Sequence, residues 1–242
     1  MKNKRTTFVQ HLAELRNRII FSIVSIILFS VVSYIFYEKI IKILIRPFLY
    51  INDFNNAKLF LSTIYEGFLI RIKISIYSGI VLSSPVIIFN LIKFIFPGLT
   101  LKERRFVLIT LLTSLFLSSF AVYYSYQKIV PLSIKFLSSK SFIPQKVGLL
   151  LNFNRNINFI IQLIFAGILL FQFPLIIELL LFFNILKRKT IIKFVRYIIV
   201  LIFILSAILT PPDVLSQLAF ALPLTFLLFL AIFIAKIFKF GE

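Results

Sequence analysis

Cysteine and tryptophan are absent from this sequence of 242 residues, and histidine occurs once, as His11. Without cysteine the chain can form no disulfide, no thiolate metal site and no thiol nucleophile. A single histidine cannot supply the paired axial ligands of a cytochrome-type haem. These absences exclude disulfide-stabilised, thiol-dependent and haem-binding classes, and no metal or cofactor is expected.

Charged residues are also scarce, at 14% of the chain, against about 25% in a typical soluble domain. Eight are acidic and 27 are Lys or Arg, so the formal net charge is +19. In a soluble protein this charge would favour nucleic acid as a partner. Here 60% of residues are hydrophobic, the mean hydropathy is +1.05 and basic residues flank apolar runs. This pattern predicts a chain embedded in a lipid bilayer, with no nucleic-acid partner.

Windows of about 19 apolar residues mark candidate transmembrane helices. The sequence contains six, at about 19–37, 67–92, 106–126, 157–186, 191–209 and 214–238. We therefore expect an all-α, polytopic membrane protein in which residues 1–242 form a single six-helix transmembrane domain. Lys128 to Arg155, with Pro131 and Pro144, is predicted to be a polar loop. The short Thr210-Pro-Pro-Asp213 connection predicts an antiparallel hairpin between the last two spans.

The distribution of basic residues predicts how the chain is oriented. Six crossings place both termini on one side, and cytoplasmic segments carry an excess of Lys and Arg. The segments on the side of the termini hold more of these residues than the opposite loops do. Both termini are therefore expected to face the cytoplasm or its equivalent, the matrix or stroma, and Glu14 and Glu103 then share that face.

Residues 1–18 form a patterned polar segment ahead of the first span. Its apolar residues recur at helical spacing, which predicts an amphipathic helix lying along the bilayer surface. Thr7 and Gln10 have the spacing of a capping box and are expected to start this helix. Glu14 lies among arginines in it, where the simplest role is an ion pair with Arg18 and the alternative is ligand binding.

Local capping roles are also open for two further acids. Thr100 and Glu103 form a second capping box, so capping alone can explain Glu103. A carboxylate has about four acceptor positions, however, and can bind a ligand as well. Asp213 most simply caps the sixth span. His11 is expected to form interfacial hydrogen bonds.

Four motifs carry a family resemblance: His11-Leu-Ala-Glu-Leu-Arg16, Leu82-Ser-Ser-Pro-Val86, Phe94-Ile-Phe-Pro-Gly-Leu-Thr-Leu-Lys-Glu-Arg-Arg105 and Leu209-Thr-Pro-Pro-Asp-Val-Leu-Ser-Gln217. In this order, across six spans, they resemble the TatC family, the multispanning receptor of the twin-arginine (Sec-independent) protein translocase. The resemblance extends over nearly the whole chain. It implies a non-enzymatic protein without cofactors that binds twin-arginine signal peptides of folded cargo. It also implies a homo-oligomer that assembles with small single-span TatA/TatB-type subunits and uses the proton-motive force.

The resemblance also assigns roles to residues. It implies that Glu14, Glu103, Arg16 and Arg105 bind the signal peptide. It implies structural or assembly roles for a larger set, mostly prolines at turns or within spans: His11, Pro47, Pro85, Phe94, Pro97, Gln172, Pro174, Pro211, Pro212, Asp213, Gln217 and Pro223.

The sequence departs from the family pattern at two acidic positions. The family usually has Phe-Glu-x-Pro in span four, whereas this chain reads Phe171-Gln-Phe-Pro174. The family's acid shortly after the span-six proline, here Pro223, is also missing. Both positions are where the family is thought to contact its small partners, so these departures bear on partner use. Glu178 is about 240° around the helix from Gln172 and does not restore the acid.

Two other functional classes fit a polytopic chain. A small-solute transporter would show repeated halves around discontinuous helices, and the sequence has no visible internal repeat. A respiratory-complex membrane subunit, such as the proton-channel subunit of ATP synthase, needs an arginine within a late span. Spans five and six have none beyond Arg196 near an end.

The composition carries a hint of origin. Phenylalanine occurs 31 times and tryptophan not at all, which is typical of AT-rich, organelle-encoded genes. Together with the missing acids, this favours the mitochondrial inner membrane over a plastid thylakoid or bacterial plasma membrane.

Overall fold

The structure of the chain, a computed structural model, describes residues 4–50, 59–95, 100–139 and 150–241. Its elements in chain order are α1 (Lys4–Ile35), α2 (Tyr37–Ile45), a 3-10 helix (Arg46–Tyr50), β1 (Leu59–Phe60), α3 (Glu66–Ile95), α4 (Leu101–Tyr124), a π-helical turn (Ser125–Ile129), α5 (Val130–Leu137), β2 (Leu151–Asn152), α6 (Phe153–Phe182), α7 (Arg188–Leu209) and α8 (Val214–Ile237). Across these described ranges, six helical stretches are long and apolar enough to cross a membrane. The predicted all-α, six-span fold is confirmed.

The first span continues the amphipathic segment. An amphipathic helix at residues 1–18 that runs into a spanning helix was expected, and α1 runs without interruption from Lys4 to Ile35. The polar segment is therefore continuous with the first span. The helix also begins ahead of Thr7, so the predicted capping box at Thr7 and Gln10 does not mark its start.

The third span is longer than predicted. It continues through the π-helical turn and α5 to Leu137, so a polar loop beginning at Lys128 was wrong. Pro131 lies in the first turn of α5, where a residue without an N–H is tolerated. The backbone N–H of Val130 meanwhile bonds to the carbonyl of Ser125. The proline is accommodated within a helix, whereas Pro144 lies outside the described residues.

The fourth span is shifted by four residues at each end relative to the predicted 157–186. Asn152 caps α6, because its side-chain oxygen accepts the backbone N–H of Arg155 at 2.9 Å. At the other end Asn184 has φ of 54°, a left-handed conformation that asparagine tolerates better than most residues and that ends a helix. Polar caps, rather than the edges of the apolar run, set these boundaries.

The described residues group into two compact units, of which the first comprises residues 1–43 and 65–115. In it α1 and α3 pack against each other in antiparallel directions. Asn90 Nδ2 donates to Ser22 Oγ at 3.3 Å near one end, and Arg71 Nη2 donates to the carbonyl of Tyr34 at 3.3 Å near the other. Small buried residues line the contact, namely Ser25, Ser33, Ser75, Ser83 and Gly79.

Gly79 of α3 lies very close to the backbone of α1. A Cβ added there would lie 2.7 Å from the backbone nitrogen of Ser30 and 2.8 Å from its Cα. These are backbone atoms, which cannot rotate away. Small residues allow such close helix contacts in membranes, where dispersion forces replace the hydrophobic effect between helices.

The second unit comprises residues 44–64 and 116–242 and is centred on α6. Phe171 of α6 and Phe220 of α8 are completely buried in it. Tyr124 extends from α4 and its hydroxyl donates to the carbonyl of Ala219 at 3.2 Å. The strands β1 and β2 pair in parallel, with Leu59 opposite Leu151, so two extramembrane segments far apart in sequence are joined.

Labelling of single cysteines tests the predicted topology, and the absence of native cysteine makes the background clean. A cysteine replacing Ser139 should react with a membrane-impermeant thiol reagent only from the side opposite both termini. A cysteine replacing Arg188 should react only from the side of the termini, since one further crossing separates the two positions. Reaction of both from the same side would contradict the six-span topology.

Candidate functional site

Glu14 lies in the N-terminal part of α1 and is partly exposed. Its Oε1 accepts a hydrogen bond from Arg18 Nη2 at 3.1 Å, one helical turn later. The ion pair expected as the simplest role is therefore present. Because the two side chains remain 35% and 28% exposed, solvent weakens their attraction, and such a pair contributes about 0.2–0.5 kcal/mol.

An open depression of about 420 Å³ surrounds this pair. It is lined by Ala13, Glu14, Asn17, Arg18 and Phe21, all from α1. Phe21 is 63% exposed. The depression therefore presents a carboxylate, an amide and an exposed aromatic ring within two helical turns.

Glu103 lies in the first turn of α4 and caps the start of this helix. Its Oε2 accepts both the backbone N–H and the hydroxyl of Thr100, each at 2.7 Å. The bond to the backbone N–H is the one predicted for this capping box. Both bonds end on the same oxygen, so Oε1 is the atom that a ligand would meet. Glu103 precedes the apolar run that starts at Phe106.

The antiparallel contact of α1 and α3 indicates how the two acids reach one end of the first unit. Glu14 lies eight residues before Ser22, the partner of Asn90. Eight residues beyond Asn90, the chain has passed the end of α3 at Ile95. It then enters α4, with Glu103 in the first turn. Each acid is held by a residue close to it in sequence, Glu14 by Arg18 and Glu103 by Thr100.

The other predicted site residues near these acids have different positions. Arg16 and Arg105 are exposed, in α1 and in the first turns of α4. Phe94 is half-buried in the last turn of α3. Pro97 and the side chain of His11 lie outside the described residues, so their predicted roles stay predictions.

The predicted cap of the sixth span is confirmed. Asp213 is 4% exposed, and its Oδ1 accepts the backbone N–H of Ser216 at 2.6 Å while Oδ2 accepts the Ser216 hydroxyl at 2.6 Å. Gln217 donates through Nε2 to the carbonyl of Phe203 in α7 at 3.2 Å, which ties the two arms of the hairpin together. Pro211 is buried in the connection and Pro212 is exposed.

The remaining predicted prolines lie at or within helices. Pro85, Pro174 and Pro223 fall inside α3, α6 and α8, none of which is broken by its proline. Pro47 is buried in the 3-10 helix.

Gln172 faces protein, as an amide within a span should. Its Nε2 donates to Ser118 Oγ of α4 at 2.8 Å, inside the second unit. An unpaired amide in hydrocarbon would be costly, and this bond removes the cost.

Substitutions at Gln172 test whether a hydrogen-bonding side chain without charge is sufficient at this position. Asn in its place retains an amide and is expected to be nearly silent. Leu in its place leaves the Ser118 hydroxyl without its partner and should lower the stability of the assembly by about 1 kcal/mol. Native gels and thermal unfolding measure both variants, and equal behaviour of parent and Leu variant would show that the bond contributes nothing.

Two features of the structure were not predicted from the sequence. The guanidinium of Arg71 lies 4.2 Å from the Tyr34 ring centre and 5.3 Å from that of Tyr37. Asn17 and Phe21, which line the depression with Glu14, were not predicted as site residues. Their spacing of three and seven residues from Glu14 is a signal that could have identified them, because such residues share a helix face.

Within the part of the chain that the structure describes, no group of three or more His, Asp or Glu could hold a metal ion. The charged side chains of the candidate site are carboxylates and guanidinium groups.

Comparison with known proteins identifies the family. Residues 10–223 match the family model described as Sec-independent protein translocase protein (TatC). The chain is 31% identical over 240 residues to the Sec-independent protein translocase protein TatC of Carboxydothermus hydrogenoformans, covering 99% of this chain and 96% of the relative. It is 34% identical over 231 residues to an uncharacterized tatC-like protein, ycf43, of Cyanidium caldarium, covering 95% and 93%.

A solved structure has the same fold. It is described as the crystal structure of the twin-arginine translocase receptor TatC in DDM, and it superimposes with a TM-score of 0.79 at 30% identity, covering 96% of this chain and 99% of that chain. The family model and these relatives extend over nearly all six spans, as the motif resemblance predicted. This chain belongs to the TatC family of Sec-independent protein translocase proteins.

Proposed function

We propose that this chain is the signal-peptide receptor and core subunit of a twin-arginine translocase, which moves folded proteins across an energised membrane. In this proposal, Glu14 and Glu103 receive the two guanidinium groups of the signal peptide. The observations that support it are the antiparallel contact of α1 and α3 and the start of α4 in the same unit, from which we infer that the two acids lie at the same end of that unit.

The chemistry of a carboxylate favours arginine over lysine as the ligand. The planar guanidinium can donate two parallel hydrogen bonds to one carboxylate, whereas an ammonium group acts as a point charge. Both hydrogen bonds from Thr100 end on Oε2 of Glu103, so Oε1 is the atom that would accept from a ligand. In the described structure, Glu14 is paired with Arg18, which is partly exposed. Replacing Arg18 by a guanidinium group of the ligand as the partner of Glu14 therefore costs little free energy.

The positive charges near Glu14 and Glu103 increase the selectivity for peptides that can pair with both acids. Arg18 and Arg104 lie close to the two acids in sequence and repel a cationic peptide. Attraction then depends on the two carboxylates, and a peptide that satisfies neither is rejected. Asn17 and Phe21 would contact peptide residues next to the arginines, since they share the depression with Glu14.

Partner use and location extend the proposal. We expect assembly with small single-span TatA/TatB-type subunits and with further copies of this chain, with Gln172 donating hydrogen bonds where the family usually has an acid. The mitochondrial inner membrane is the proposed location, supported by the Phe-rich, Trp-free composition. Fractionation of cells with an antibody to the chain would test it, and recovery with thylakoids or a bacterial plasma membrane would contradict it.

The test of the receptor function uses the unaltered protein. Purified chain in nanodiscs is titrated with a fluorescent signal peptide containing Arg-Arg, and with the same peptide containing Lys-Lys. Losing bidentate geometry at two carboxylates should weaken binding by about tenfold or more, taking about 1.4 kcal/mol per tenfold. Equal affinities for the two peptides, or no binding of either, would overturn the proposal.

A further inference from the structure

One small region of the second unit is held together by close contacts. It comprises the C-terminal ends of α6 and α8 and the N-terminal end of α7. The backbone N–H of Arg188 donates to the carbonyl of Gly241 at 2.8 Å. Gly241 has φ of 70°, and a Cβ there would lie 3.0 Å from the Leu186 carbonyl oxygen. The segment that follows α8 is therefore packed, at Gly241, directly against Arg188, the first residue of α7.

Aromatic rings form the apolar part of this region. The ring of Phe182 packs edge-on against Phe240 and against Phe183, with centres 5.2 Å apart in each case. Phe238 stacks on Phe240 at 5.7 Å. Phe183 and Phe238 remain 38% and 65% exposed, so apolar surface is left at the level where the helices end.

The charge of the region is entirely positive in the described structure. Lys187, Lys189, Lys236 and Lys239 are exposed around the rings. Between Glu178 and Glu242 the sequence has one acid, Asp213, which caps the opposite end of α8. Among the described residues of this region, the basic groups thus surround an apolar surface with no carboxylate among them.

Arg188 supplies the observation that points to a ligand. Its Nη1 is buried, and among the described residues it has no hydrogen-bond partner. A buried guanidinium donor without an acceptor is costly. Arg188 as a whole is half-buried, and its Nη1 requires an acceptor that the described residues do not supply.

We propose that this region binds the phosphate of an anionic phospholipid. The lipid phosphate accepts from Arg188 Nη1, the exposed lysines balance the headgroup charge, and the acyl chains lie against Phe183 and Phe238. A lipid fits better than a soluble anion because the exposed rings continue the apolar surface of the membrane span. Basic pockets between transmembrane helices bind anionic headgroups in this way.

The absence of tryptophan from the chain allows a direct test. Phe238→Trp places a single fluorescent reporter in the region, and Phe226→Trp, at a 68% exposed position further up α8, serves as the control reporter. Each protein is reconstituted in phosphatidylcholine containing a brominated quencher lipid, which is either phosphatidylglycerol or phosphatidylcholine. The phosphatidylglycerol quencher should be preferred by about tenfold at Phe238→Trp and not preferred at Phe226→Trp.

Charge variants made in the Phe238→Trp protein identify the group responsible. Arg188→Gln should abolish the preference, and the exposed pair Lys187→Gln with Lys189→Gln should reduce it without disturbing the packed region. Lys193→Gln removes one positive charge from an exposed site five residues along α7 and should leave the preference unchanged.

Several results would overturn the proposal. They are equal quenching by both lipids, a preference for phosphatidylglycerol that survives Arg188→Gln, and a loss of this preference in Lys193→Gln that equals the loss in Arg188→Gln. Suppression of the preference by added inorganic phosphate would identify a soluble anion as the ligand instead. A preference that arises only after Glu242→Gln would show that the chain's own carboxylate occupies Arg188.

Discussion

Glu14→Ala and Glu103→Ala are each expected to weaken binding of a twin-arginine signal peptide by about 30-fold or more. Each variant leaves one guanidinium of the bound peptide without its carboxylate partner, and loss of such a charge pair is expected to weaken binding by about 30-fold or more. The effect is large because the arginines flanking both acids in sequence still repel the peptide once a carboxylate is gone. Titration with the labelled Arg-Arg peptide measures it.

Matched variants separate binding from helix capping. Glu103→Gln can still accept the backbone N–H of Thr100, since Gln also serves in a capping box, but it carries no charge. Glu14→Gln likewise removes only the charge. Both should lose affinity nearly as strongly as the Ala variants, whereas Glu38→Ala, an exposed acid in the first turn of α2, should bind like the parent. Parent-like binding by Glu14→Ala and Glu103→Ala would exclude these residues as the receptor site.

The double variant tests whether the two acids serve one ligand. If they do, Glu14→Ala combined with Glu103→Ala should lose less binding free energy than the sum of the single losses. Strict additivity would indicate two independent contacts.

Gly79→Leu is expected to separate α1 from α3. Even a Cβ at this position would lie within 2.8 Å of the Ser30 backbone, and overpacking of this kind costs about 1–3 kcal/mol, occasionally more. The added side chain meets backbone atoms, so no rotamer relieves the clash. Thermal unfolding in detergent should show a clear loss of stability, and the bond from Asn90 to Ser22 should weaken as the helices part.

Leu82→Phe provides the control for Gly79→Leu. It also adds volume to α3, three residues further on, at a position that is 49% exposed. This variant should unfold like the parent. If Gly79→Leu does so too, the contact at Ser30 is not needed to hold the helices together.

Much of the fold was predictable because a bilayer leaves few alternatives to apolar helices. Spans two, five and six were predicted to within a few residues, and Asp213 was predicted as a cap. The predicted ends of helices were wrong where a single backbone feature determines them. Pro131 resembles a loop residue in sequence, yet the π-helical turn before it keeps the helix continuous.

The candidate site was predicted in part. Glu14 and Glu103 were identified by motif, and their pairing with Arg18 and Thr100 follows from spacing along a helix. The antiparallel register of α1 and α3 could not be predicted, because it depends on where one glycine meets Ser30. Such a contact is a property of two segments about fifty residues apart, and neither segment specifies it alone.

The serines between α1 and α3 bear on how the protein enters the membrane. Five hydroxyls on these two helices donate to a carbonyl about one turn earlier in their own helix: Ser22 to Arg18, Ser25 to Ser22, Ser75 to Arg71, Ser83 to Ile80 and Ser84 to Val81. These donors are satisfied before the helices meet. Each of these five side chains therefore adds little to the cost of its helix entering lipid, whereas the hydroxyls of Ser30 and Ser33 in α1 have no hydrogen-bond partner among the described residues.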